Sequence, residues 1–214
     1  MYRRAEIEAR AAAVRERIRA AGGDPERVAL VAVSKGRSLE DCRAALEAGL
    51  TGLGENRVAE ALPKLEALPG AEWHLVGHLQ TNKVRAAAGR FALIHSVDSL
   101  RLAEAIARRA PEQAVLLQVN TSRELQKQGL APEAAVEAVR AAANLLPVRG
   151  LMCMAAAAGD PGPAFDLLRG LRDQAEQELG VELPVLSMGM SDDYEAAVRA
   201  GSTMLRLGRV LFDR

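Results

Sequence analysis

Six apolar residues, Val28-Ala29-Leu30-Val31-Ala32-Val33, run directly into Ser34-Lys35-Gly36. Such a run reads as a buried strand of a parallel sheet. A lysine at its end either snorkels to solvent or is partly desolvated. In the second case its amine loses basicity and becomes a nucleophile toward carbonyls, which is Schiff-base chemistry. Other apolar runs also end in groups that can hydrogen bond: Glu55-Asn56, His78 with Gln80 and Asn82, His95-Ser96, Asn120, Met152 to Met154, Ser191, and Arg206 with Gly208-Arg209.

The last two exits are the most specific. Ser187-Met188-Gly189-Met190-Ser191-Asp192-Asp193 leaves a strand and enters a helix, and Gly201-Ser202-Thr203-Met204-Leu205-Arg206-Leu207-Gly208 forms the next strand. Glycines and small hydroxyls there expose backbone N–H groups suited to a phosphate. An amine at one end and a phosphate cradle at the other describe a site for a phosphorylated aldehyde. His74 and His78 flank a strand with Gly77 between them, which is poor geometry for zinc, so no metal is expected. Gly49, Gly52 and Gly54 lack dinucleotide-fingerprint order. Cys153 reads as a small buried residue, Trp73 as core, and Met152, Met154, Met188 and Met190 as packing at a barrel mouth.

The elements that must position these groups alternate. Strand candidates cover 28–33, 51–54, 72–76, 91–95, 114–119, 148–152, 184–187 and 203–207. Helical patterns lie between them at 38–48, 56–68, 80–88, 98–109, 131–143, 162–179 and 192–200. Ser38 and Asp98 are candidate caps, and Pro132 suits a first turn. Ahead of them, residues 2–21 form an amphipathic helix ended by Gly22-Gly23. Eight short apolar strands alternating with helices fit a doubly wound sheet or a closed (β/α)8 TIM barrel. The barrel is favoured because no strand has a polar edge and eight strands close. No linker divides the chain, so one domain over 1–214 is expected, with 1–22 as the extra helix.

Composition narrows the classes further. Of 214 residues, 28 are basic and 28 acidic, and no segment is strongly basic, so no nucleic-acid partner is expected. Two cysteines make no disulfide framework, and no run is long enough to span a membrane. The expectation is a cytoplasmic protein with no membrane partner.

Ala32-Val33-Ser34-Lys35, Gly54-Glu55-Asn56, Trp73-His74-Leu75-Val76-Gly77-His78-Leu79-Gln80-Thr81-Asn82-Lys83, Gly150-Leu151-Met152 and the two segments beginning at Ser187 and Gly201 stand in one order. In that order the chain resembles the pyridoxal phosphate homeostasis proteins, also called proline synthetase co-transcribed homologues, from about Val28 to Phe212. The resemblance implies a single barrel similar to the N-terminal domain of alanine racemase. It also implies pyridoxal 5′-phosphate (PLP) as cofactor, held as a Schiff base on Lys35. Arg206 would face the pyridine nitrogen, and Ser191, Gly208 and the Arg209 backbone would cradle the phosphate. Asn56 would lie near the ring, and Met152 would line the pocket. The chain departs from the family pattern at Leu211-Phe212-Asp213 and at Met154-Ala155-Ala156-Ala157-Ala158, which lacks a proline.

An arginine opposite the pyridine nitrogen disfavours its protonation, so the ring is a weak electron sink. The only tyrosines, Tyr2 and Tyr194, do not stand at strand ends, so a two-base racemase has no evident second base. The resemblance implies a carrier and regulator of PLP without enzymatic turnover, expected as a monomer, with PLP-dependent apo-enzymes as candidate partners. The alternatives are a weak PLP enzyme acting on amino acids and a cofactor-free Schiff-base aldolase.

Overall fold

A computed structural model describes residues 2–124, 126–156 and 158–213; of Tyr2 it describes the backbone only. The expected loop at Met154–Ala158 therefore falls partly outside the described residues, at Ala157.

Eight parallel strands form a closed barrel in sequence order, as the strand pattern predicts. They are β1 (Ala29–Val33), β2 (Gly52–Glu55), β3 (Glu72–Leu75), β4 (Leu93–Val97), β5 (Val115–Gln118), β6 (Val148–Met152), β7 (Val185–Ser187) and β8 (Met204–Leu207). Closure comes from β1 pairing with β8, with Val31 opposite Arg206 and Ala32 opposite Leu207. The strand exits thus share one rim, and the exits of β1 and β8 are neighbours.

The helices are α1 (Tyr2–Ala20), α2 (Leu39–Glu47), α3 (Val58–Ala67), α4 (Val84–Ala87), α5 (Leu100–Ala107), α6 (Ala135–Ala143), α7 (Gly162–Leu179), α8 (Tyr194–Arg199) and α9 (Arg209–Phe212). Ser38 caps α2 in a full capping box with Asp41. The cap of α5 is Ser99, not Asp98: the Ser99 hydroxyl accepts from Leu102 N, while Asp98 pairs with His78 at 3.3 Å. α9 is a single turn, too short to cover the seam between β8 and β1. α1 covers it instead, packing on α2, α8 and α9 and burying Ile7, Ala11, Val14 and Ile18. Arg3 ties this helix down by donating to Asp41 at 2.8 Å and to the Phe212 carbonyl at 2.7 Å.

Two cores result. The larger lies between strands and helices and holds Trp73, Phe165 and Phe212. The smaller is Leu93, Leu116 and Met152 inside the barrel. Two glycines permit strand contacts that a side chain would prevent. A Cβ on Gly150 (φ +150°) would stand 1.8 Å from the Val185 carbonyl oxygen, and one on Gly77 would stand 2.2 Å from the Asn56 carbonyl oxygen.

Two strands differ from the sequence reading in an instructive way. β4 runs on to Val97, and β2 includes Glu55. His95, Ser96 and Glu55 read as polar strand exits, yet all three are fully buried within strands because each finds a partner.

Candidate functional site

The site is best built from Arg206. It lies on β8, 4% exposed, inside the barrel. Its Nη1 donates to the Ser187 carbonyl at 2.6 Å and to the Ser187 hydroxyl at 2.7 Å, and its Nη2 donates to the Cys153 carbonyl at 2.8 Å. No carboxylate among the described residues pairs with it, and burial pushes the guanidinium below its ordinary value, partly countered by Cys153 and Asp193. A guanidinium has five N–H groups, so Nε–H and one Nη2–H have no partner among the described residues. A buried cation held only by neutral acceptors is costly, and it presents its charge to whatever enters above it.

On the rim above, the exits of β7 and β8 meet. The Ser191 hydroxyl accepts from Val210 N at 3.3 Å, which brings Ser191 beside Gly208 and Arg209. A Cβ on Gly208 would find nothing of the protein nearer than 3.5 Å, so its backbone is approachable. The Arg209 side chain is exposed and pairs with Asp192. Gly189 (φ +96°) lets the β7 exit pack tightly, since a Cβ there would stand 2.6 Å from Ala197.

Lys35 opens the turn after β1 and is exposed, the first of the two alternatives its place in the sequence leaves open. The buried position at this exit belongs to Ser34, whose hydroxyl donates to Glu55 Oε1 at 2.8 Å. Lys64 Nζ on α3 donates to the same Oε1 at 2.6 Å and to the Ser34 carbonyl at 2.8 Å. These contacts lock the exits of β1 and β2 directly beneath Lys35. The other carboxylate oxygen, Glu55 Oε2, is buried without a hydrogen-bond partner among the described residues.

Asn56 is half-buried at the β2 exit, with its carbonyl under Gly77. Met152, the last residue of β6 and in register with Ser187, is 1% exposed and packs in the inner cluster with Leu93 and Leu116. Among the other methionines, Met188 is buried in the outer core and Met190 is exposed. Burial raises the Cys153 thiol to about 11, which suits an inert packing residue. Tyr194 is buried in the outer core, its hydroxyl without a hydrogen-bond partner among the described residues, and Tyr2 falls outside the described side chains.

Sequence reasoning missed the groups that hold Arg206 and the rim: Ser187 as acceptor, the Cys153 carbonyl and Lys64. It also missed a buried hydrogen-bonded pair, His74 Nδ1 to His95 Nε2 at 2.9 Å, which continues from His95 Nδ1 to the Ser187 hydroxyl at 2.9 Å. Period-two alternation with Val185 would have turned Ser187 inward. No local pattern marks Lys64. No helix among the described residues is long and apolar enough to cross a membrane.

Fold and site together define a barrel of the alanine racemase type, with a lysine at the exit of β1 and a buried arginine on β8. The sequence profile described as "Alanine racemase, N-terminal domain" matches residues 4–213. The pyridoxal phosphate homeostasis protein of Pseudomonas aeruginosa is 42% identical over 212 residues, covering 94% of this chain and 91% of that one. That of Deinococcus radiodurans is 43% identical over 212 residues, covering 94% and 96%. PipY of Synechococcus elongatus PCC7942 superimposes with a TM-score of 0.88 without PLP and 0.85 with PLP bound, at 36% identity over 96% of this chain and 99% of that one. Alanine racemase of Clostridium difficile 630 shares the fold, with a TM-score of 0.75 at 16% identity over 93% of this chain and 58% of that one. The chain belongs to the alanine racemase N-terminal domain family and, within it, to the pyridoxal phosphate homeostasis proteins.

Proposed function

We propose that this protein binds PLP and serves its homeostasis as a carrier, not as a catalyst. The observation that carries this reading is Arg206, a buried guanidinium with no carboxylate partner among the described residues, on the strand that pairs with the one leading to Lys35. The donor set suits the group. Lys35 offers an exposed amine for a Schiff base with the aldehyde, and the Ser191 hydroxyl with the Gly208 and Arg209 backbone offers donors for the phosphate. Asn56 flanks the ring, and Met152 lines the pocket.

Bound PLP would supply an aldehyde for amines and a ring able to accept electron density. Arg206 limits the second property. Two positive charges in one buried place repel, so the arginine keeps a proton off the ring nitrogen. The names of the relatives and the PLP-bound PipY support the cofactor assignment. We further assign one barrel as the working unit, a cytoplasmic location, a monomeric state, and exchange of PLP with apo-enzymes that depend on it.

The test is borohydride reduction of the PLP-loaded protein followed by peptide mapping. The adduct is expected on Lys35, and Lys35→Ala is expected to abolish it. An adduct on Lys64, Lys83 or Lys127 in the wild-type chain overturns the lysine assignment. Pyridoxal lacking the phosphate should bind at least tenfold more weakly, because charge-assisted hydrogen bonds of roughly 1.5–3 kcal/mol each are lost. Equal affinities would remove the phosphate cradle at Ser191 and Gly208. Deuterium exchange at the α-carbon of L-alanine should be negligible; turnover in the ordinary range of about 1–10³ s⁻¹ would make the protein an enzyme.

A further inference from the structure

The hydrogen-bonded chain inside the barrel has a direction. Arg206 can only donate. Its Nη1 gives one bond to the Ser187 carbonyl and one to the Ser187 hydroxyl oxygen. The hydroxyl hydrogen then turns to the remaining neighbour, His95 Nδ1, at 2.9 Å. That nitrogen must be bare, so the proton of a neutral His95 sits on Nε2. Nε2 donates in turn to His74 Nδ1 at 2.9 Å, which places the proton of His74 on its own Nε2. The reverse order would leave the hydrogen of the fully buried Ser187 hydroxyl with no acceptor.

Both imidazoles are held neutral. Burial lowers His74 to about 4, and burial, His74 and Arg206 together lower His95 well below its ordinary value. The chain crosses from β3 and β4 to the opposite wall, β7 and β8. Its far end lies beside Gly52, where an added Cβ would stand 3.4 Å from His74 Nε2. His74 and Gly52 line a cavity of about 220 Å³ that also meets the charged residues Arg15, Glu26 and Glu72.

We infer that His74, His95 and Ser187 are positioning residues for Arg206, with one permitted proton order along the chain. This rests on the reading that Arg206 faces the ring nitrogen of bound PLP. A serine hydroxyl that donates onward to His95 becomes a stronger acceptor for the guanidinium. Arg206 is thereby fixed in place with no carboxylate among the described residues to cancel its charge, and two of its N–H groups have no partner among them.

The experiment uses the full chain labelled with ¹⁵N histidine. In PLP-free protein at pH 7, two-bond ¹H–¹⁵N correlations should show both His74 and His95 as neutral Nε2–H tautomers. Ser187→Ala should change the His95 Nδ1 signal, and Ser187→Thr, which keeps the hydroxyl, should restore it. On PLP titration, Ser187→Ala and His95→Phe should weaken binding about tenfold and shift the visible absorption band, while borohydride still traps the cofactor on Lys35. An Nδ1–H tautomer or an imidazolium on either histidine of the wild-type protein overturns the proton order. Unchanged affinity and an unchanged band in both variants overturn the positioning role. If not even the wild-type protein traps PLP, the carrier reading falls, and the wild-type tautomers alone decide the proton order.

Discussion

Two cations support the rim, Arg206 buried and Lys64 half-buried, and they are held by opposite means. Arg206 has only neutral acceptors, whereas Lys64 has a carboxylate, Glu55, that is itself fully buried. A buried ion pair is a poor source of net stability but a costly thing to break from one side. Lys64→Met should therefore destabilise the protein by about 3–5 kcal/mol, because it leaves the Glu55 carboxylate uncompensated. The double variant Glu55→Gln, Lys64→Met should recover most of that loss. Urea denaturation across the double-mutant cycle checks this, and additive single and double effects would show that the pair is not coupled. The same contrast explains what the sequence could convey at this scale. The places of Lys35 and Gly208 at strand exits were legible because they stand just beyond the runs that form β1 and β8. Lys64 was not, because its target is in space and not in the pattern: it reaches back from α3 to the Ser34 carbonyl thirty residues earlier.

At the scale of elements, β1 was legible as an unbroken apolar run and the other strands as short, mostly apolar ones, since helices cover one face of each and the barrel interior covers the other. The errors fell where the interior is polar. β4 was read as ending at His95, and continues to Val97, because a buried histidine with two hydrogen-bond partners looks in sequence like a strand exit. The cap of α5 moved from Asp98 to Ser99 because Asp98 pairs with His78 instead. Tests at this scale separate local from global elements. Ser38→Ala removes a capping box at the start of α2 and should cost about 1 kcal/mol, lowering Tm by about 2–4 °C for a chain of this size. Gly150→Ala acts on the barrel itself, because its Cβ would fall on the Val185 carbonyl and force β6 from β7. It should leave little folded protein, whereas Gly36→Asn, at φ +67° in open space, should be nearly silent in a thermal melt. A Gly150→Ala protein with wild-type Tm would mean that the strand contact is not rigid.

At the scale of the whole molecule, the polar interior makes stability depend on pH. His74 and His95 are neutral in the folded barrel, with His74 lowered to about 4 and His95 well below its ordinary value, each chiefly by burial. In the unfolded chain both take up protons as pH falls through about 6.5. Below that pH the unfolded state binds more protons than the folded state, so unfolding becomes easier as pH drops. A depressed histidine thus contributes full stability above about pH 6.5 and loses it toward the folded pKa. Each group gives a slope of about 1.4 kcal/mol per pH unit, so the pair gives about 2.7 kcal/mol per unit at most between pH 6.5 and 4.5. The paired carboxylate Asp41 is lowered from 3.8 by Arg3 and Ser38 against its burial, and loses its contribution only below this window. Urea denaturation at pH 7.5, 6.5, 5.5 and 4.5 should show a plateau followed by a decline. His74→Asn should cut the decline by about half, since one of two equal contributions is removed. A wild-type stability that stays level from pH 6.5 to 4.5 would mean that the interior histidines take up protons as readily in the barrel as in the open chain.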